Sequence, residues 1–251
     1  MINENFFCGL PDDFQNKCKI YPPTVGEVLE TKEFPQYRKI LTMSQEDIED
    51  EFIEQKVDLK YLLTPYEYLL NNSFKNGMIT KVISDAFKFF IHEPVILLPK
   101  QKKIIIGNAQ EILKSEVKLE DLKFITEDDF FDFQNLIRQA VGDKVVERPQ
   151  EDEDPRVHKM KAKSRYREKI KAKRAGEKKD AMSFSDSLIS LCCMDMGINP
   201  LNIRDLTYAS ISPLIRRYQE KIKYQLDVDS LLAGADSKKI KPKSWMRNLE
   251  D

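Results

Sequence analysis

Glycine is scarce in this chain, eight among 251 residues. That scarcity excludes a phosphate-cradling loop, which needs closely spaced glycines so that backbone N–H groups can approach the phosphate. Histidine is scarcer, and His92 and His158 stand far apart. His92 precedes Glu93-Pro94 at the end of an apolar stretch and reads as a helix-closing residue, not a base. The four cysteines, Cys8, Cys18, Cys192 and Cys193, show no CxxC spacing, and neither histidine completes a zinc pattern with them. Reduced thiols acting as small buried hydrophobes are expected. Neither GxSxG nor HExxH occurs. The acid pairs Glu46-Asp47, Glu49-Asp50 and Asp128-Asp129 sit at helix starts or on polar faces, where the helix dipole and solvation account for them. The reading is therefore of a protein that is not an enzyme, with no catalytic, cofactor-binding or metal-binding residues and no cofactor. No apolar run reaches the ~18 residues of a membrane span, so no membrane partner is expected. The opening MINENFF has neither the basic nor the apolar region of a secretory signal.

What the chain has in quantity is segregated charge. Its 41 Lys and Arg nearly balance 42 Asp and Glu, yet the two signs lie in blocks, a pattern that suggests interfaces. Glu147–Asp154 (ERPQEDED) holds five acids and one Arg, and Arg156–Lys179 follows with twelve Lys or Arg against two Glu. No Pro or Gly interrupts Val157–Arg174, and its residues are good helix formers. Pro155 suits a first helical turn and Gly176 a stop. Met160, Tyr166 and Ile170 make only a thin apolar stripe, so an exposed helix is expected, frayed by repulsion between its own cations. Three readings of this arm stand side by side. It is a solvated linker, or a nucleic-acid arm whose cations neutralise phosphates, or a docking arm for an acidic protein surface, another copy's acidic stretch included.

The remaining chain reads as helices around a small sheet. Lys19-Ile20-Tyr21 alternates before Pro22 and suits an edge strand. Thr24 with Glu27, Ser44 with Asp47, Thr126 with Asp129 and Ser183 with Asp186 are helix N-caps, and Thr64-Pro65 with Glu67 is another. Residues 78–91 carry Ile79, Val82, Ile83, Ala86, Phe87 and Phe90 at helical spacing, the clearest amphipathic pattern in the chain. Val95–Leu98 and Ile104–Ile106 predict a β-hairpin, with a third strand at Leu122–Ile125. Gly142 and Gly197 end helices. In the last helix Leu214, Ile215, Tyr218, Ile222 and Leu226 could bury one face against the helix at 184–196.

The fold class expected is mainly α with a small β-hairpin (α+β). Residues 1–145 form an N-terminal lobe, 146–182 a charged arm, and 183–251 a C-terminal helical lobe with a tail. The tail sets Trp245, Met246 and Leu249 among Lys241, Lys243 and Arg247, an anchor-and-rim composition. Candidate partner-binding residues are Arg165, Tyr166, Arg167, Lys169, Lys173 and Arg174 on the arm, with Trp245, Met246 and Leu249 on the tail.

The segment Cys18–Leu29 (CKIYPPTVGEVL) resembles the opening of small proteins from the tail-gene region of bacteriophages that infect Gram-positive bacteria. The closing region shares that likeness, through Tyr218–Lys221, Leu231–Ala235 and Trp245–Leu249. The resemblance implies a tail assembly chaperone or a baseplate-associated tail morphogenesis protein. Its partners would be other tail proteins, tape-measure or baseplate subunits, or further copies of itself. Its place would be the host cytoplasm during assembly, or the virion tail. It carries no binding residues onto particular positions here. The alternative is a nucleic-acid-binding adaptor using residues 156–179.

Overall fold

The computed structural model describes residues 3–75, 77–108, 122–148, 155–174, 182–236 and 239–246. Helix dominates, and two small antiparallel sheets complete an α+β fold. After α1 (Glu4–Phe7), β1 (Asp12–Phe14) and β2 (Cys18–Ile20) form a ribbon with Asp12 opposite Ile20. The edge-strand expectation therefore holds, one residue earlier than read, while β1 carries no alternation by which to recognise it. Next come α2 (Val25–Glu30), α3 (Phe34–Thr42), α4 (Gln45–Glu54), α5 (Pro65–Lys75) and α6 (Gly77–Ile91).

Local chemistry places these starts. Thr24 and Ser44 close reciprocal capping boxes, each hydroxyl accepting from the N–H three residues on while Glu27 or Asp47 accepts from the cap's own N–H. The helix at 77–91 ends where His92 enters the left-handed region at φ 58° and stacks on Tyr21, ring centroids 4.0 Å apart. His92 is thus the helix-closing residue expected of it.

β3 (Val95–Leu98) and β4 (Lys103–Ile106) form the expected hairpin, Val95 opposite Ile106, and β5 (Lys123–Ile125) adds to β4 with Ile125 opposite Ile104. The Tyr66 hydroxyl lies 2.9 Å from the carbonyls of Lys102 and Ile125 and ties α5 to this sheet. α7 (Glu127–Ala140) follows β5; Asp129 accepts from the N–H of Thr126, and its carboxylate also meets Lys17 from the β1–β2 side at 2.5 Å.

The main core lies between α6, α7 and the sheets. Phe87 and Phe133 stack at 5.3 Å, Phe14 meets Phe133 edge-on at 5.4 Å, and Ile83, Phe90, Ile104 and Ile137 close around them. Of the cysteines only Cys18 is in this core, where burial pushes its thiol up to about 12. Cys192 is half-buried and Cys8 and Cys193 are exposed, so the expectation of small buried hydrophobes holds for one of four.

The charged arm is α8 (Pro155–Arg174), starting at Pro155 as the sequence suggests. The C-terminal lobe holds α9 (Phe184–Cys193) and α10 (Ile211–Leu232). Its small core joins Leu191, Ile203 and Ile211 with Val25 of α2. Residues 203–211 seat this lobe directly on the N-terminal lobe. Val25 N–H donates to the Leu206 carbonyl and Tyr208 N–H to the Pro23 carbonyl, both at 2.8 Å. Gly142, at φ +72°, ends the approach to α7's C-terminus, and any Cβ there would stand 3.2 Å from the Ala209 Cα. Arg38 spans the junction, donating to Asp143 from Nε at 3.0 Å and to the Tyr208 hydroxyl at 3.2 Å.

One packing expectation is corrected. Leu214 and Ile215 do pack with α9, but Ile222 and Leu226, the latter 61% exposed, do not. α9 spans only ten residues and ends at Cys193, so it cannot reach the far half of a 22-residue helix.

Candidate functional site

Among the described residues, the densest cluster of ion pairs joins α4 to α8. α4 (QEDIEDEFIE) has six acids and no base. Ile48 faces inward and is buried, so helical geometry places Glu46, Glu49 and Asp50, at i, i+3 and i+4, together on a neighbouring face. α8 answers with His158, Ala162, Arg165 and Lys169 at i, i+4, i+7 and i+11. Ala162 is 1% exposed, and its small side chain lets the two helices approach.

Arg165 is the hub. Its guanidinium lies 2.8 Å from Glu49, 3.1 Å from Glu46 and 3.6 Å from Asp50. Lys169 meets the second oxygen of Asp50 at 2.6 Å, and His158 Nε2 is 3.2 Å from Glu49. Lys159 reaches Asp58 at 2.9 Å beyond the end of α4. The Glu49 side chain is 2% exposed beneath this cover. Burial works against the charge of Arg165, but the Glu49 hydrogen bond and the fields of Glu46, Glu49 and Asp50 outweigh it and raise its pKa. Lys169 is raised chiefly by its hydrogen bond to Asp50. The fit is incomplete: among the described residues, Asp50 Oδ1 and Arg165 Nε are buried without hydrogen-bond partners. Beside the contact lies an open cleft of about 570 Å³, lined by Lys39, Met43, Asp50 and Glu54 from one side and Tyr166 and Ile170 from α8.

The expectation of an exposed arm thus meets a helix docked along one face. A thin apolar stripe does not prevent docking when the seat supplies opposite charge, and six acids on one ten-residue helix were the signal. The dipole and solvation of a helix start do not account for Glu49 and Asp50, which lie in the middle of α4 under Arg165 and Lys169.

Of the arm residues singled out from sequence, Arg165 and Lys169 are engaged within the chain, Tyr166 lines the cleft and Arg167 is exposed. The side chains of Lys173 and Arg174, in the last turn of α8, lie outside the described residues. On the tail, Trp245 is half-buried and its carbonyl accepts from Arg217 Nη1 at 2.5 Å, while Met246 is exposed. Leu249 lies outside the described residues. The far half of α10, with Ile222, Leu226 and Leu232 (82% exposed), faces solvent, although the helical spacing of Ile222 and Leu226 suits a buried face.

Docking by charge predicts salt sensitivity. Ion pairs that are only partly buried weaken as the Debye length shrinks from ~10 Å at 0.1 M salt to ~3 Å at 1 M. Trypsin should cut within 156–174 several-fold faster at 0.5–1 M NaCl than at low salt, relative to an unstructured reference peptide. Equal relative rates would mean that α8 is held by something other than charge.

Residues 176–250 match the family model described as the YomV second domain. That family is phage-derived, YomV coming from a Bacillus prophage. The match covers the C-terminal lobe and its tail and connects this part of the chain with phage proteins. No curated protein and no solved structure matches the chain. No described helix is long and apolar enough to cross a membrane.

Proposed function

We propose that this chain is a non-enzymatic phage tail morphogenesis protein, a tail assembly chaperone or a tail or baseplate component, that binds another tail protein through its C-terminal lobe. The observation carrying this reading is the phage-derived domain match over 176–250. It coincides with the lobe whose outgoing helix leaves Ile222, Leu226 and Leu232 uncovered at i, i+4 and i+10. Apolar side chains on a helix that runs past its own packing partner are the form that helix-in-groove or bundle contacts take. The base of α10 is anchored through residues 203–211, so the lobe presents this surface from a fixed position. Work in the host cytoplasm during assembly, or a place in the virion tail, follows from the same reading.

The test is co-expression with the tape-measure and baseplate proteins of the same phage, followed by co-purification. The full chain should retain one of them, and Leu226→Glu with Leu232→Glu should lose it by at least tenfold while melting at the same temperature. If no tail protein is retained, or the double variant retains it equally well, the reading fails. Mass spectrometry of purified particles then separates a chaperone, absent from the tail, from a tail component.

A further inference from the structure

We propose that the outer face of α8 binds the phosphate backbone of duplex nucleic acid, and that α4 is a built-in competitor that attenuates this binding. Docking uses the α8 face that carries His158, Arg165 and Lys169. The other side of the helix bears Lys163, Arg167 and Lys171, all exposed, and among the described residues none of the three is paired with a carboxylate. They repeat every four residues, about 6 Å apart along the axis. Duplex DNA carries a negative charge every ~1.7 Å of its axis, so such a row always finds phosphates within reach.

Charge balance points the same way. α8 holds ten Lys or Arg and one Glu, and α4 holds six acids, which leaves the docked pair with a surplus of three positive charges. An acidic protein partner is the less favoured occupant. Protein interfaces centre on desolvated apolar anchors; the exposed apolar side chains Val157 and Met160 lie N-terminal to the row Lys163, Arg167, Lys171 and not within it, whereas a phosphate backbone asks only for cations. The absence of interleaved aromatics argues for backbone contacts over base stacking. α4 presents to α8 what a nucleic acid would present, a stripe of anions at helical intervals. Arg165 and Lys169 cannot serve phosphates while they serve Glu46, Glu49 and Asp50, and Asp50 Oδ1, 3.6 Å from Arg165, and Arg165 Nε, both without a hydrogen bond among the described residues, mark a seat less than fully matched.

The experiment is fluorescence anisotropy of a short labelled DNA duplex with the full chain across a NaCl series. Each phosphate contact contributes about −0.9 to the slope of log K against log salt. Lys163→Gln, Arg167→Gln and Lys171→Gln together should make the slope shallower by about 2.7. These exposed side chains make no hydrogen bond or ion pair among the described residues, so the melting temperature should not move. Glu46→Gln, Glu49→Gln and Asp50→Asn together should tighten binding several-fold and steepen the slope by about 1.8, as Arg165 and Lys169 become available. Absence of duplex binding, or an unchanged slope in the outer-face variant, overturns the phosphate site. Binding to polyglutamate but not to the duplex overturns it in favour of an acidic protein partner. A folded α4 variant, judged by circular dichroism, that binds no tighter overturns the competitor role.

Discussion

Phe87→Ala should lower stability by about 3–5 kcal/mol, the range for removing a buried aromatic ring. Phe87 is fully buried in the middle of α6 and stacks on Phe133, which in turn meets Phe14 edge-on and Phe130 at 6.1 Å. The cavity would open where helices α6 and α7 meet the β1–β2 ribbon, and rings fixed by three neighbours collapse poorly into it. For a chain of this length each kcal/mol moves the melting temperature by roughly 2–4 °C, so calorimetry should record a fall of roughly 6–20 °C. Phe87→Leu, which keeps most of the volume, should fall by less than half as much. A Phe87→Ala protein that melts with the wild type would show that this face is not the core.

Tyr208→Ala should cost about 2–3 kcal/mol, less than a wholly buried ring because Tyr208 is only half-buried. Its ring sits between Phe34 of the N-terminal lobe, at 5.1 Å, and Phe184 of the C-terminal lobe, at 5.3 Å, with Arg38 over one face. It packs against both hydrophobic clusters. Its loss should therefore uncouple the lobes, which hydrogen exchange would register as faster exchange of α9 and α10 with α6 and α7 unchanged. Tyr208→Phe keeps both ring contacts and gives up only the hydroxyl that accepts from Arg38, at a cost of about 1 kcal/mol. Uniform acceleration across the whole chain in Tyr208→Ala would mean that the two lobes unfold as one.

Much of the fold was legible because the signals were local. Thr24-Val-Gly-Glu27 and Ser44-Gln-Glu-Asp47 name their own helix starts, since a side chain and a backbone N–H three residues apart settle the matter between them. The β-branched runs at 95–98 and 104–106 pair across a short turn for the same reason. The strand Asp12–Phe14 is not legible in the sequence because its three residues have no period and depend on Cys18–Ile20 for their ladder.

The candidate surfaces were less legible. From sequence the arm's composition identified a basic helix, and its residues Arg165, Tyr166, Arg167 and Lys169 were singled out, but not which of them would already be occupied. That depended on Glu46, Glu49 and Asp50, more than one hundred residues earlier, and no spacing rule relates partners so far apart. Likewise, nothing in the apolar repeat Tyr218, Ile222, Leu226 tells whether a partner lies opposite. The repeat records which residues share a helix face, while burial depends on the length of the neighbouring helix, and α9 is too short.

By itself, then, the sequence determined where most helices begin, the sheet hairpin, the core face of residues 78–91 and the existence of a basic helix at 155–174, because each follows from contacts within a few residues; it did not fix every helix end, since the helix expected to run to 196 and stop at Gly197 ends at Cys193. The tertiary structure alone decided that α8 lies on α4, that residues 203–211 bind the C-terminal lobe to Pro23–Val25, and that the outer half of α10 is left open. Those outcomes rest on charge and shape complementarity between segments far apart in the chain, which only the folded arrangement brings within the few ångströms over which such forces act.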